Sequence, residues 1–350
     1  MANAKENPYR PEPINEYKLF ACRDKQIQVV KEYLDYCKYE NPSFYNFLIL
    51  GNEGSGKTSM LNMIKVLAKD KKIMIVNVPL FDVESPISFL KQLFDSIMTA
   101  GADEDLFGGK YGKIYKQFRQ MLDNVDIKFE VNIPFNFFNV YLASKQGNDP
   151  NISPPALITD FKNIMDEAKK QELTSIALFL DDCDILMDSK RIIPTMNSLF
   201  MNLKGYHLVF AGTKDLKEAL KGFKPLMTLE LGDLTCITEL EEFMLKPLDE
   251  DQRKLVDQSV FERIFKLAHE HASPSLVTLF AHYIYKDYYK NLDQENKSDA
   301  KMEITDQVLE DVLSQLETQC IDKESGADVK NLINQYLYWA MPKYLKDGGV

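Results

Sequence analysis

The chain has 350 residues, 45% of them hydrophobic, and its 42 Lys and Arg against 53 Asp and Glu give a formal net charge of −11. This composition is ordinary for a globular protein, and the acidic balance disfavours nonspecific contact with nucleic-acid phosphates. The longest apolar runs, such as 176–180, are too short to span a membrane. Scattered cysteines without C-x-x-C spacing fit reduced thiols. We therefore expect a soluble, cytoplasmic protein without membrane contact.

The N-terminal part begins with a segment, residues 1–17, whose prolines among polar residues predict an extended or loose chain. A helical pattern then starts at Asp24, a suitable N-cap, and Asn41-Pro42 ends it. The apolar run 44–50 predicts the first strand.

A glycine-rich loop follows this strand and fits the pattern G-x-x-x-x-G-K-[ST], with a predicted helix, 58–70, behind it. Its residues are Gly51, Asn52, Glu53, Gly54, Ser55, Gly56, Lys57 and Thr58. Such a loop meets a triphosphate with backbone N–H groups and with the positive end of the helix dipole. We expect residues 51–59, Ser59 included, to bind the nucleotide, Lys57 to reach the β- and γ-phosphates, and Thr58 to ligate Mg²⁺. The alternative is a glycine-rich turn with a chance lysine.

The middle of the chain continues with a predicted buried strand, 73–78, and a helix that opens at Ser85-Pro86. Glycines between 101 and 112 indicate a loose connection before a second helical stretch, 114–122.

Apolar and polar residues alternate between 125 and 137, as in a half-buried strand or hairpin. Pro134 excludes a central strand, so we expect an edge strand or a protruding hairpin inserted near residues 125–140. Its apolar stripe either caps the core or forms a ridge that binds a partner. A loop, 144–155, and a helix, 156–170, are predicted to follow.

The apolar run 176–180 predicts a strand that ends on two carboxylates, Asp181 and Asp182. Because ligands bind at the C-terminal ends of parallel strands, we expect Asp181 to hold Mg²⁺, directly or through water, and Asp182 to orient or deprotonate the attacking water. The alternative is that the two carboxylates cap a following helix. The glycine-rich loop upstream favours the magnesium interpretation. Asp184 is expected to cap a helix or face solvent.

The next predicted strand, 208–213, ends at Thr213, our candidate for contacting the γ-phosphate or its water, although Gly212-Thr213 is also what a tight turn uses. A fifth strand is predicted at 226–231. From residue 235 helical spacing replaces the strand signal. We therefore expect a domain boundary near Gly232, a helical domain over 233–320 and a C-terminal helix within 321–350.

Together these features resemble the AAA+ P-loop ATPases, specifically the origin-recognition and Cdc6-like branch and the related STAND-type signalling ATPases. The resemblance covers roughly residues 18–290. Residues 20–25 look like the family's F-x-G-R-[DE]-x box beside the nucleotide base, which implies that Arg23 contributes to nucleotide binding. Residues 51–58 are similar to Walker A, 178–182 to Walker B and 211–213 to sensor 1. The likeness implies an α/β three-layer core over 18–232, with a parallel five-stranded sheet of order 5-1-4-3-2, followed by an α-helical lid over the nucleotide.

The chain also departs from this family. Cys22 stands where the box usually has glycine, and Ser275 takes the place of the lid's sensor 2 arginine. No arginine lies between Lys214 and Gln252, where an arginine finger would be sought, and Lys224 is the nearest basic candidate. Such an arginine contributes ~10³ to 10⁵ in rate in related enzymes, so we expect slow hydrolysis. We expect no C-terminal winged-helix domain, because the about 45 residues after the lid are too few.

Three functions remain as hypotheses. The first is a switch that uses ATP and Mg²⁺ and controls a partner protein, or acts within a homo-oligomer, through lid closure. The second is a DNA-associated loader or remodeller of the origin-recognition type, which the net charge disfavours. The third is a nucleotide-stabilised scaffold with little hydrolysis. We favour the first because the chain keeps both carboxylates. The preference for adenine rests on the family likeness, since no N-K-x-D motif is present.

Overall fold

A computed structural model describes residues 7–10, 12–14, 16, 19–37, 46–81, 83–103, 125–132, 137–144, 154–187, 191–201, 203–223, 226–267, 272–295 and 301–321. The strands are β1 (Asn46–Gly51), β2 (Ile73–Asn77), β3 (Val125–Asn132), β4 (Phe137–Ser144), β5 (Ser175–Leu180), β6 (Tyr206–Gly212) and β7 (Leu226–Leu231). The helices are α1 (Asp24–Cys37), α2 (Lys57–Ala68), α3 (Pro86–Asp103), α4 (Pro154–Lys170), α5 (Ile192–Phe200), α6 (Leu216–Ala219), α7 (Ile237–Leu245), α8 (Glu250–Leu255), α9 (Gln258–Leu267), α10 (Pro274–Glu295) and α11 (Asp306–Ile321). Short 3-10 turns lie at Lys69–Lys71 and Cys183–Leu186.

The chain divides into two compact units. The sheet unit comprises Lys25–Asn52 and Lys57–Leu231. The helical unit comprises Met1–Asp24, Glu53–Gly56 and Gly232–Val350. The middle of the glycine-rich loop thus belongs to the helical unit, although the strand before it and the helix after it belong to the sheet unit.

Five parallel strands form the central sheet in the order β2-β5-β6-β1-β7. Numbered among themselves in chain order and read from the other edge, these strands have the predicted order 5-1-4-3-2, so the predicted fold is confirmed. β1 and β5 are buried along their whole length, because each is mostly apolar and is covered on both faces. β6 pairs with β1 on one side and with β5 on the other. Because the three strands are parallel, their C-terminal ends lie side by side at the same end of the sheet.

The core of the sheet unit is built from inward-facing residues of these strands and of the helices beside them. It includes Leu48, Val76, Leu178, Phe210 and, from α3, Phe94, all of them fully or almost fully buried. At the opposite end of the sheet, the buried Asn46 side chain is satisfied, because its Oδ1 accepts a hydrogen bond from the N–H of Leu208 at 3.3 Å.

A separate two-stranded antiparallel sheet forms where the sequence alternates, with β3 and β4 paired from Val125 opposite Ser144 to Asn132 opposite Phe137. Two neighbouring boundaries differ from expectation. α3 continues through Gly101 to Asp103, because Gly101 is buried within the helix and does not interrupt it. α4 begins at Pro154, since proline is tolerated in the first turn of a helix. The predicted helical stretch 114–122 lies outside the described residues.

The described part of the helical unit after Gly232 contains helices α7 to α11 around a second core, which includes Leu240, Phe261, Val277 and Val308. Tyr9 also belongs to this core: it is 6% exposed, and its hydroxyl donates to the carbonyl of Met244 at 2.5 Å. The N-terminal segment is therefore not loose at this point, contrary to expectation. The predicted C-terminal helix lies beyond the described residues. None of the described helices combines the length and the apolar character that crossing a membrane requires.

Candidate functional site

The glycine-rich loop leaves the sheet at the end of β1 and enters α2 at Lys57. Gly54 and Gly56 adopt φ angles of +74° and +94°, in the left-handed region that glycine tolerates best. A Cβ added to Gly56 would meet no atom within 4 Å. The loop therefore presents its backbone at Gly56 to open space, as a phosphate cradle requires.

Ser55 lies at the centre of this loop and is only 1% exposed. Its hydroxyl oxygen has no hydrogen-bond partner among the described residues. A buried, unsatisfied hydroxyl costs about 1–3 kcal/mol, and such groups in native structures point to a missing partner. The loop accordingly fits an oxygen-rich group such as a phosphate.

Lys57 is the first residue of α2, and its ammonium group donates to the carbonyl oxygens of Gly51 and Asn52, each at 3.1 Å. Both acceptors are at the start of the same loop. An ammonium group has three donors, so one N–H is left over in this arrangement. Lys57 therefore lies at the loop that was predicted to bind the phosphates, and its ammonium group is hydrogen-bonded to carbonyl groups of that loop.

Thr58 and Asp181 are brought together by the sheet. Asp181 directly follows β5, and its Oδ2 accepts a hydrogen bond from the Thr58 hydroxyl at 2.7 Å. Only β6 separates β5 from β1 in the sheet, which leaves about 10 Å between those two strands. The other carboxylate oxygen, Oδ1, accepts the N–H of Asp182 at 3.0 Å. The two residues expected to hold Mg²⁺ are thus direct neighbours.

The Thr58 hydroxyl and the Asp181 carboxylate are oxygen groups of the kind that could hold magnesium. The described residues include no group of three or more His, Cys, Asp or Glu side chains that could hold a metal. Mg²⁺ does not need one, because it is commonly held by one or two protein oxygens, substrate phosphates and water.

Asp182 has an unusual backbone, with φ +50°, and it precedes the 3-10 turn Cys183–Leu186. Burial raises the pKa of its carboxyl, the Asp181 and Asp184 carboxylates raise it further, and the Lys57 ammonium opposes them. Non-glycine residues in this region of φ are uncommon and cluster at functional sites. The raised pKa makes Asp182 a stronger proton acceptor than an ordinary aspartate.

Lys65 is a cation that the sequence analysis did not single out. It lies on α2, and its ammonium sits 6.0 Å from the centre of the Phe179 ring. Burial lowers the pKa of its ammonium, and the negative charge of Asp181 acts in the opposite direction. Helical spacing alone gave no signal for this position, because lysine is also an ordinary residue of an exposed helix face.

Thr213 and Asp184 form a second pair, which the sequence analysis missed. Both carboxylate oxygens of Asp184 accept the N–H of Thr213 at 3.0 Å, and Oδ1 also accepts its hydroxyl. Asp184 therefore neither caps a helix nor points to solvent. The strand was predicted to end at Thr213, whereas β6 ends at Gly212 and Thr213 follows it directly, with its hydroxyl proton directed at Asp184. The available signal was that Asp184 lies only three residues after Asp181, in the 3-10 turn that follows β5.

Arg23 precedes α1 and belongs to the helical unit. Its Nη2 donates to the carbonyl of Gly232 at 2.5 Å and to that of Ser55 at 3.5 Å. Burial lowers the pKa of this guanidinium, with Glu239 and Asp233 among the groups that oppose the shift. Its donors reach main-chain carbonyls, one of them in the glycine-rich loop, whereas the family likeness implied a place beside the base.

Cys22 shows why glycine is usual at its position in the resembled box. Its φ is +57°, a left-handed conformation that costs a cysteine more than a glycine. Its Sγ donates to the carbonyl of Glu239 at 3.1 Å. Burial raises the pKa of the thiol to about 12, and Glu242 and Glu239 add to the shift. The side chain is thus a neutral, hydrogen-bonded thiol.

Two further departures from the resembled family concern Ser275, in the place of the sensor 2 arginine, and Lys224, in the region of the arginine finger. Ser275 is in the first turn of α10, where its N–H donates to the carbonyl of Gly54 at 3.1 Å. Lys224, the nearest basic candidate for the arginine finger, lies outside the described residues.

Comparisons with known proteins bear on the family and the fold of the chain. Residues 23–221 match a family model described as the KAP family P-loop domain. The Aeropyrum pernix ORC1 protein, solved in complex with DNA, is similar in fold at 12% identity and a TM-score of 0.52, over 91% of this chain and 72% of that one. Drosophila ORC bound to DNA gives 12% identity and a TM-score of 0.50, over 96% and 78%. A search of the curated proteins finds no match to this sequence.

Proposed function

This chain belongs to the KAP family of P-loop NTPases, and from that premise we propose that it binds Mg-ATP and acts as a slowly hydrolysing molecular switch. The observation that carries the proposal is the 2.7 Å contact between the Thr58 hydroxyl and the Asp181 carboxylate, directly behind the glycine-rich loop. The orphaned Ser55 hydroxyl and the open space at Gly56 support it.

Each residue has a role in binding. The N–H groups of the loop and of the first turn of α2 bind phosphate oxygens, and Lys57 adds a positive point charge. Thr58 and Asp181 hold Mg²⁺, which when bound neutralises charge on the phosphates. Lys65 places a further positive charge near Asp181. Preference for ATP over GTP is carried over from the family likeness.

Asp182 is the general base in this proposal. Its carboxylate orients the attacking water and accepts its proton, and its raised pKa makes it a stronger proton acceptor than an ordinary aspartate. Asp184 fixes Thr213 through three hydrogen bonds. Because the Thr213 hydroxyl donates its proton to Asp184, its oxygen can only accept a hydrogen bond from the water.

In this proposal, the bound nucleotide determines whether the helical lid is open or closed. ATP binding closes the helical lid, hydrolysis reopens it, and a partner protein or a second copy of the chain responds to the difference. Contacts that only one of the two states makes would supply the energy for this response.

The decisive variant is Asp182→Asn. Removal of a general base should lower steady-state ATP turnover by about 10²- to 10⁴-fold. ATP affinity, measured by calorimetry, should stay close to that of the wild type, because the residues that bind phosphate and Mg²⁺ are intact.

Asp251→Asn serves as the control, since the Asp251 side chain is 93% exposed on α8 and its carboxylate pairs with the exposed Lys254. Unchanged turnover in Asp182→Asn would remove this residue from the mechanism. Absence of ATP binding by the wild-type chain would overturn the proposed function as a whole.

A nucleotide-stabilised scaffold is the second candidate, and one observation favours it. Arg23, Arg253 and Arg263 all donate to main-chain carbonyls, so their guanidinium groups serve structure. Single-turnover hydrolysis by the purified chain distinguishes the candidates, because a scaffold would retain bound ATP unhydrolysed. The oligomeric state should be recorded in the same sample.

A DNA-associated role is disfavoured. The ORC structures that are similar in fold were solved with DNA, but this chain carries a net charge of −11. Duplex binding that relied on phosphate contacts would weaken steeply with salt, by a logarithmic slope of about −0.9 per contact. A switch read by a protein partner predicts weak duplex binding at all salt concentrations.

A further inference from the structure

Two carbonyl groups in the middle of the glycine-rich loop accept hydrogen bonds from other parts of the helical unit. The Gly54 carbonyl accepts the N–H of Ser275 at 3.1 Å, and the Ser55 carbonyl accepts Nη2 of Arg23 at 3.5 Å. Ser275 lies in the first turn of α10, where N–H groups have no acceptor within the helix. The loop supplies one of these missing acceptors.

The two donors are linked to each other through the main chain. Arg23 also donates to the carbonyl of Gly232 at 2.5 Å. Leu234 and Ala272 exchange two main-chain hydrogen bonds, at 2.8 and 3.1 Å. Residues 232–234 and 272–275 thus form a hydrogen-bonded frame, within one compact unit, that fixes the direction of both loop carbonyls.

This frame determines where the loop's N–H groups point. In a planar trans peptide the C=O and the following N–H point in opposite directions. When Ser275 holds the Gly54 carbonyl on one side, the N–H of Ser55 faces the other side. The same reasoning turns the N–H of Gly56 away from Arg23. Gly56 is also the residue at which the loop meets open space.

Gly54 is the position where α10 and the loop are closest. A Cβ added there would lie 2.9 Å from the Cβ of Ser275 and 3.2 Å from the Oγ of Ser273. The first distance is shorter than real Cβ contacts allow, and the φ of Gly54 is +74°. Only glycine therefore permits the Ser275 hydrogen bond in its present form.

We propose that the contact of Gly54 with Ser275 is a positioning device that aims the Ser55 and Gly56 amides at the phosphates and couples phosphate binding to the first turn of α10. The inference rests on the proposed function, since it concerns the same loop. Because coupling between two sites is reciprocal, phosphate binding should in turn stabilise the start of α10. The helical unit would thereby sense nucleotide through a main-chain contact, without an arginine at position 275.

A double-mutant cycle tests the contact. Gly54→Ala should weaken ATP binding by about tenfold or more, the size of effect that overpacking of this kind produces. Ser275→Gly removes the clashing Cβ and keeps the N–H donor. In the Ser275→Gly background, the loss caused by Gly54→Ala should be about tenfold smaller, and the part that remains comes from the left-handed φ.

Gly56→Ala is the matched control. Its φ is +94°, yet its added Cβ meets no protein atom. Ser275→Gly should therefore not rescue Gly56→Ala. Equal rescue of both alanine variants, or rescue of neither, would overturn the inference while ATP binding by the wild type upheld the proposed function. Absence of ATP binding by the wild type would overturn both.

Amide hydrogen exchange on the wild-type chain decides the matter if the alanine variants fail to fold. Exchange in a peptide that covers residues 272–280 should slow when Mg-ATP is added, because the Ser275 N–H is more firmly held. A peptide from α8, within 250–255, should show no such change. Unaltered exchange at 272–280 under conditions that saturate the site would contradict the proposed coupling.

Discussion

At the scale of single residues, Asp182 combines a strained backbone with a disfavoured charge. Its φ is +50°, and burial and two neighbouring carboxylates raise its pKa. A carboxyl whose pKa is raised in the folded state binds its proton more tightly there than in the unfolded chain. The wild-type chain therefore loses stability as pH rises from the ordinary carboxyl pKa through the raised value, and the loss is complete above it.

We expect Asp182→Asn to stabilise the chain at neutral pH, because asparagine cannot acquire this charge. The advantage should shrink as pH falls towards the ordinary aspartate pKa of 3.8. Denaturant unfolding across a pH series measures it, with Asp251→Asn as the exposed control. Asparagine also tolerates the left-handed region, but that benefit does not vary with pH. A stability difference that is independent of pH would contradict the assignment of the raised pKa.

At the scale of secondary-structure elements, Asp184 joins the 3-10 turn after β5 to the end of β6. It accepts the N–H and the hydroxyl of Thr213, so the two strand ends are fixed to each other beside the Asp181 and Asp182 carboxylates. Gly212 contributes to this joint, because a Cβ there would lie 3.0 Å from Oδ2 of Asp184 and 2.7 Å from a methyl group of Leu216.

Asp184→Ala should therefore cost more stability than Thr213→Ala. The first variant leaves the half-buried Thr213 N–H without its acceptor, which costs about 1–3 kcal/mol in free energy of unfolding. The second removes the hydroxyl and retains the N–H bond, so we expect a cost of about 0.5–1.5 kcal/mol. Urea denaturation of both variants compares them. If Asp184→Ala proves the milder of the two, the joint does not stabilise the fold as described.

At the scale of the whole molecule, nucleotide binding should raise the free energy of unfolding of the chain. A ligand that binds only the folded state stabilises it by RT ln(1 + [L]/Kd), about 2.7 kcal/mol when Mg-ATP is present at 100 times its Kd. A site built from main-chain amides, Lys57, Thr58 and Asp181 depends on the native loop, so the unfolded chain should not bind ATP appreciably.

Lys57→Ala should lose most of this stabilisation, because it removes the point charge at the phosphates. Lys69→Ala, an exposed position just after α2, should retain it. Thermal unfolding with and without Mg-ATP provides the measurement. Equal shifts in the two variants would show that ATP stabilises the chain at some other place.

The sequence by itself determined the parts that depend on local pattern. The glycine-rich loop, the apolar strands and the carboxylates after β5 each stand out within a few neighbouring residues. Periodicity and motif spacing sufficed for the fold class, since a buried parallel strand must be apolar on both faces. The family likeness supplied the strand order.

Only the tertiary structure decided which distant groups meet. The pairing of Asp184 with Thr213, the direction of Arg23 towards Gly232 and the burial of Tyr9 each join residues far apart in the chain. The side chains involved are equally common in caps, loops and exposed faces, so their type gives no signal. Their partners are fixed by how strands and helices pack, because a hydrogen bond depends on distance and angle in space and leaves no mark on the order of residues.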